Sequence, residues 1–204
     1  MRNGDPERAA AIAEAALGRS LSPRGRARMW NLLGIARYRV GDLQRAFDAF
    51  AEERAEHIEA GHEAFVATAE TNLAELAMRL GDPSAAARHQ HACLELAMAL
   101  GQPVMLAYSL ILAGRISAAA GDWPTAVRLQ ARAGTMLDET GHRLYDNDLE
   151  ASEQLLSAAA DHLGSDFDAT FRAGVAMDTP AAAALAEEVL RLAGSATSTI
   201  PNLP

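Results

Sequence analysis

Two glycine ladders of a single period run through this chain and decide what it can fold into. Gly-Asp pairs stand at Gly41-Asp42, Gly81-Asp82 and Gly121-Asp122, and a second set, Gly61, Gly101 and Gly141, falls midway between them; both sets repeat every 40 residues. The surroundings repeat as well: Gly-His-Glu-Ala-Phe from Gly61 returns as Gly-His-Arg-Leu-Tyr from Gly141. Between the glycines apolar residues recur at three and four, as in Met29, Leu32, Leu33, Ala36 and Val40, or Leu73, Leu76, Ala77 and Leu80, which is the period of an amphipathic helix. Alanine, leucine, glutamate and arginine dominate, and all are good helix formers. Each glycine stands where a helix would end in a left-handed residue, and the following Asp or Pro suits the start of the next helix. The unit is a helical hairpin, one helix ending near Gly41, Gly81 or Gly121 and its partner near Gly61, Gly101 or Gly141. A single hairpin cannot bury its apolar face, and no segment alternates as a strand does. The expected fold is all-α, a solenoid of stacked antiparallel hairpins.

Side chains choose among the repeat families that a 40-residue period allows. Trp30-Asn31-Leu32-Leu33-Gly34, followed by Gly41-Asp42, Ala46 and Phe50, resembles the tetratricopeptide pattern of Trp-x-x-Leu-Gly, turn, Ala and aromatic. The small residue returns as Ala74 and Gly114, and Ala46 returns as Ala86 and Ala126; small residues let the two helices of a hairpin approach closely. Repeat two carries Glu70 in the tryptophan's place and Gln90 in the aromatic's. The resemblance implies a right-handed solenoid over residues 1–164, about three and a half hairpins plus a partial one at the N-terminus. There, Gly4-Asp5-Pro6 and a helix to about Leu17 look like the second half of a hairpin, as in a fragment of a longer chain. Leu144–Leu163 supplies one more first helix.

Beyond Leu163 the period is lost. Leu163, Gly164, Phe167, Phe171, Gly174, Met177 and Ala181 or Ala182 resemble the segment that closes the helical-repeat region of bacterial LuxR- and AfsR-type regulators, which are signal-transduction ATPases with numerous domains. Phe171 stands for that pattern's usual tryptophan, and Val175 for its usual arginine. The resemblance implies capping helices over residues 165–193, with Phe167, Phe171 and Val175 as one apolar stripe on the last hairpin. Residues 194–204 are polar and proline-containing, a disordered tail by composition. The ATPase core and the DNA-binding helix-turn-helix of those regulators are not in the sequence.

Composition narrows the chemistry. The 18 basic residues are all arginine, so no Walker-type phosphate loop and no Schiff-base lysine can form. A net charge of −9 is opposite in sign to the footprint of nucleic-acid or anionic-membrane binding. The single cysteine, Cys93, excludes an internal disulfide framework and fits a reducing, cytoplasmic setting. The longest charge-free run, Leu96–Gly114, is interrupted by Gly101-Gln102-Pro103 and reads as a turn between two core helices. The N-terminus has charges scattered among its apolar positions and is no signal peptide.

Candidate sites divide into scaffold and groove. His89 and His91 point in different directions on a helix, and His89 with Cys93 would offer a metal only two ligands, so a surface histidine and a small buried cysteine are expected; no metal or other cofactor is implied. Glu52-Glu53 and Asp146–Glu150 read as solvated helix faces or loops. Met29, Trp30, Phe47, Phe50, Met78, Met98 and Met105 read as inter-helix core, and Trp123 as part of a turn. No Gly-x-Ser-x-Gly, His-Glu-x-x-His or glycine-rich phosphate loop occurs, and the reading is non-enzymatic, with a helical enzyme as the remote alternative. By the tetratricopeptide resemblance, a concave groove for a protein or peptide would be faced by Arg28, Asn31, Arg39, Thr68, Asn72, Glu75, Arg79, Tyr108, Ile111 and Arg115. Arg39 and Arg79 are equivalent across repeats, with Arg115 one turn earlier on the next. Such a row suits an acidic peptide or chain-terminal carboxylate; alternatively each arginine serves its own helix end and pairs with Asp42 or Asp82. The expected function is an interaction or sensor module, the helical-repeat part of a LuxR- or AfsR-like regulator, or else a free-standing scaffold for a partner's peptide tail.

Overall fold

Each Gly-Asp pair ends one helix and starts the next. At the first, the Gly41 backbone lies in the left-handed region and the Asp42 amide donates back to the Arg37 carbonyl at 3.0 Å. The Asp42 carboxylate then accepts from the Arg45 amide at 3.3 Å; Asp82 and Asp122 do the same for Ala85 and Thr125, at 2.8 and 3.1 Å. The six ladder glycines all have φ between +61° and +82°, a region that costs a residue with a Cβ about 1 kcal/mol or more. The period is therefore fixed by backbone geometry.

The computed structural model describes residues 5–144 and 146–195, and these are helical with no strand. The helices are α1 (Pro6–Leu17), α2 (Pro23–Arg39), α3 (Leu43–Glu59), α4 (Glu63–Arg79), α5 (Pro83–Ala99), α6 (Pro103–Ala119), α7 (Trp123–Thr140), α8 (Asp146–Leu163), α9 (Phe167–Val175) and α10 (Thr179–Ser195), with a 3-10 turn over Gly164–Asp166. From α2 to α6 each helix has 17 residues, about 25 Å of helix. Each helix from α1 to α8 packs on its neighbour in the chain; α4 also touches α6, and α6 touches α8. Leu144 precedes α8, and Tyr145 and 196–204, which hold most of the expected tail, lie outside the described residues.

The small residues named above are where helices meet. A Cβ on Gly34 would come within 2.8 Å of the Phe50 ring, and one on Gly114 within 3.2 Å of the Ala126 carbonyl and the Gln130 amide. Ala74 is fully buried. The main core draws on α4 to α7 and α10, around Leu94, Leu110, Leu129 and Leu190; Phe50, Leu73 and Leu76 join α3 to α4. The charge-free run is split between α5 and α6, and no helix among the described residues is long and apolar enough to cross a membrane.

Three expectations are corrected. Met98 is 50% exposed rather than core, because it stands in the last turn of α5 at the edge of the stripe that carries Leu94 and Ala97. Glu53 is 4% exposed rather than solvated, because it falls on the inward stripe of Ala46, Ala49, Phe50 and His57. In the C-terminal segment Phe167 and Phe171 stack at 6.0 Å, but Val175 is exposed and the stripe stops short of it. The closest contact is made by Gly174 instead, whose Cβ would lie 2.5 Å from the Arg128 carbonyl. Here α9 packs on α7, and α10 doubles back across α5, α6 and α7. The Ser84 hydroxyl donates to the Ala193 carbonyl at 3.1 Å and so serves the free carbonyl end of α10. Trp123 opens α7 and stacks on His162 at 4.2 Å.

Candidate functional site

Three adjoining cavities follow α2, α4 and α6, and the ten groove residues are distributed among them. A central cavity of about 370 Å³ takes Thr68, Asn72 and Glu75 from α4 and Tyr108, Ile111 and Arg115 from α6. A second, about 510 Å³, takes Arg39 and Arg79 and shares Asn72 and Glu75 with the first. A third, about 360 Å³, takes Arg28 and Asn31 and shares Thr68. The last two occupy the space between α2 and α4, whose backbones stand apart. The shared residues set the three side by side.

Glu75 organises the middle. Its Oε1 accepts from Arg79 Nε and its Oε2 from Arg115 Nη1, both at 2.9 Å. The Arg79 guanidinium also lies over the Tyr38 ring, 5.1 Å from its centroid. The sequence left two roles open for these arginines. Arg79 does not pair with Asp82, which caps its own helix; it turns into the groove, where one carboxylate gathers it together with Arg115. Arg39 is exposed, stands in the last turn of α2 and forms no ion pair with another described residue. Asp148 on α8 borders both the central and the second cavity. Burial, then the charge of Glu75, raises its pKa, against the pull of Arg115 and Arg79. Val104 and Met105 give the central cavity an apolar wall, and the Tyr108 hydroxyl meets His142 Nε2 at 3.4 Å.

The third cavity holds what the sequence reading missed. Glu53, at its back, accepts from Asn31 Nδ2 with both oxygens, at 3.1 and 3.0 Å, and has His57 Nε2 at 3.7 Å. Burial pushes the Glu53 pKa up to about 7, against the Asn31 hydrogen bond. Burial also lowers the His57 pKa, aided by nearby His62. His57 stacks on Phe65 at 4.9 Å. The signal for Glu53 was available, since an acid on an apolar stripe at positions 46, 49, 50, 53 and 57 faces inward.

Glu70 and Gln90, the departures from the repeat pattern, form polar links inside the stack. Glu70, 1% exposed, binds Arg54 and His89. Gln90 donates to the Ser109 hydroxyl at 2.7 Å, and Gln130, one period on, donates to the Ile111 carbonyl at 3.1 Å. His89 is thus a partner of a buried carboxylate, not a plain surface residue. Cys93 is fully buried beside Thr71 and Ser109, and burial raises its pKa, so its thiolate is disfavoured. Among the described residues no group of three His, Cys, Asp or Glu is placed to hold a metal ion.

Comparison with protein-family models, with curated proteins and with solved structures finds no match to this chain.

Proposed function

We propose that the chain is a non-enzymatic interaction module, a tetratricopeptide-type right-handed solenoid whose groove along α2, α4 and α6 holds an extended acidic segment of a partner protein. The observation that carries the reading is the row of adjoining cavities lined by all ten groove residues. Its charge gives the ligand's sign. Arg39, Arg79 and Arg115 face Glu75 and Asp148 there, a local excess of positive charge on a chain whose net charge is −9. Glu75 fixes two guanidiniums side by side, so less side-chain freedom is lost when a carboxylate arrives. The apolar wall of Val104 and Met105 would anchor one side chain of the segment.

Within the same reading the chain is the helical-repeat region of a LuxR- or AfsR-like regulator. The support is the run Leu163, Gly164, Phe167, Phe171, Gly174, Met177, whose glycine at 174 makes the tight contact with α7. Mapping the transcript that encodes the chain tests this part: an ATPase-coding segment upstream in frame supports it, and an independent start without one contradicts it.

Selection from a random-peptide library tests the binding role. Acidic sequences should be enriched on the wild type and lost on an Arg39→Ala, Arg79→Ala double variant that melts almost normally. Enrichment that is indifferent to charge, or equal on the double variant, would overturn the groove reading.

A further inference from the structure

Among the described residues two glutamates are buried, and only one of them is compensated. Glu70 has a guanidinium and an imidazole on its carboxylate. Glu53, equally hidden, has the neutral Asn31 amide and a histidine whose own pKa is depressed. A buried carboxylate without a cation is costly, and this one borders a cavity. At the mouth the charges are opposite: Arg24 and Arg28, one turn apart on α2, are exposed and form no ion pair with another described residue. Phe65 lines the same cavity, 51% exposed, with its ring against His57. The Nδ1 atoms of His57 and His62 are buried without a hydrogen-bond partner among the described residues.

We infer that this cavity is a binding site for a free amino acid, its ammonium on Glu53, its carboxylate on Arg24 and Arg28, and an apolar side chain along Phe65. Neither a simple anion nor a simple cation fits as well. An anion leaves Glu53 uncompensated, and a cation must pass two arginines. A zwitterion meets both ends, and about 360 Å³ has room for one amino acid. The site adjoins the Glu75 cavity at Thr68 but uses none of the residues paired with Glu75, so it does not depend on a peptide occupying the rest of the groove.

The titratable groups around the carboxyl are Arg24 and Arg28 from α2, His57 on its own helix and His62 at the start of α4. An ammonium on Glu53 favours its ionised form, so binding near pH 7 releases a proton to the buffer, which a purely structural glutamate would not do.

The test is calorimetric titration of the full chain with the free L-amino acids, their N-acetyl derivatives and their carboxamides, each in two buffers of different ionisation enthalpy. An apolar amino acid should bind with proton release, and both blocked forms should bind at least tenfold more weakly. Glu53→Gln and the Arg24→Ala, Arg28→Ala double variant, each with wild-type circular dichroism, should show the same loss. The proposal is overturned if no free amino acid binds at millimolar concentration, if a blocked form binds as well as the free one, or if folded Glu53→Gln retains wild-type affinity. The charge-selected peptides of the Glu75 groove are read separately, so either site can fail alone.

Discussion

His89 Nδ1 lies 2.7 Å from Glu70 Oε2 and joins α5 to a carboxylate buried at the place where the first repeat carries Trp30. Arg54 from α3 binds the other oxygen, so three consecutive helices meet on one acid. Removing a partner strands the charge, which typically costs about 3–5 kcal/mol for a fully buried pair and less here, because Arg54 is partly exposed. Arg54→Ala with His89→Ala should destabilise the fold by about 2–4 kcal/mol, and replacing Glu70 by Leu in that background should restore much of it. Urea melts of the wild type and these two variants measure this. A double variant as stable as the wild type would show that the acid is not held by these partners.

Gly174 and Gly134 should respond to alanine in opposite directions. At Gly174 a methyl group would meet backbone atoms of Arg128 at 2.5 and 2.7 Å, which cannot yield as a flexible side chain does. Gly174→Ala should therefore cost about 1–3 kcal/mol through overpacking. At Gly134, inside α7, nothing lies within 4 Å, and Gly134→Ala should stabilise by about 0.5–1 kcal/mol through helix propensity. Thermal melts of both variants check the pair.

The repeat was legible because its marks are local. Left-handed glycines, capping aspartates and small residues at helix contacts are each readable from a few neighbouring positions, and Gly34, Gly114 and Asp82 are found where the pattern put them. The roles of Glu53, Glu70 and Asp148 were not read, since each depends on which helix comes to lie opposite. A glutamate is ordinarily a sign of solvent, and only its place on an apolar stripe argues otherwise. The path of α10 was likewise illegible: its alanine-rich face suits many surfaces, and packing chose α5 to α7.

Acid–base titration of stability should reveal Glu53. Its folded pKa, about 7, lies above the ordinary 4.5, so the stability it contributes is complete below pH 4.5 and is lost as pH rises through 7. His57 works the other way, because a depressed imidazole pKa lowers stability as pH falls below 6.5. Glu53→Gln isolates the carboxyl: it should gain on the wild type between pH 4.5 and 7 and stay ahead above that, by about 1–3 kcal/mol. Chemical melts at pH 5 and pH 8 suffice, and an advantage equal at both would contradict the burial argument.

The return of α10 across the stack predicts what truncation does. Leu190 is 1% exposed among Ala182, Ala183 and Ala186, so Leu190→Ala should cost about 2–4 kcal/mol. A chain ending at Asp178 exposes the face of α5 to α7 and should self-associate, as large apolar patches do. Sedimentation of the truncated chain decides this, and a stable monomer would mean that α10 is dispensable.

The central claim is that the α2–α4–α6 groove is the binding surface, and photo-crosslinking of a selected acidic peptide tests it most directly. With a diazirine placed along the peptide, mass spectrometry should find adducts on groove residues such as Arg39, Asn72, Tyr108 and Ile111, and the yield should fall steeply as salt rises. Adducts confined to α1 or α10, or scattered without regard to the groove, would contradict the account.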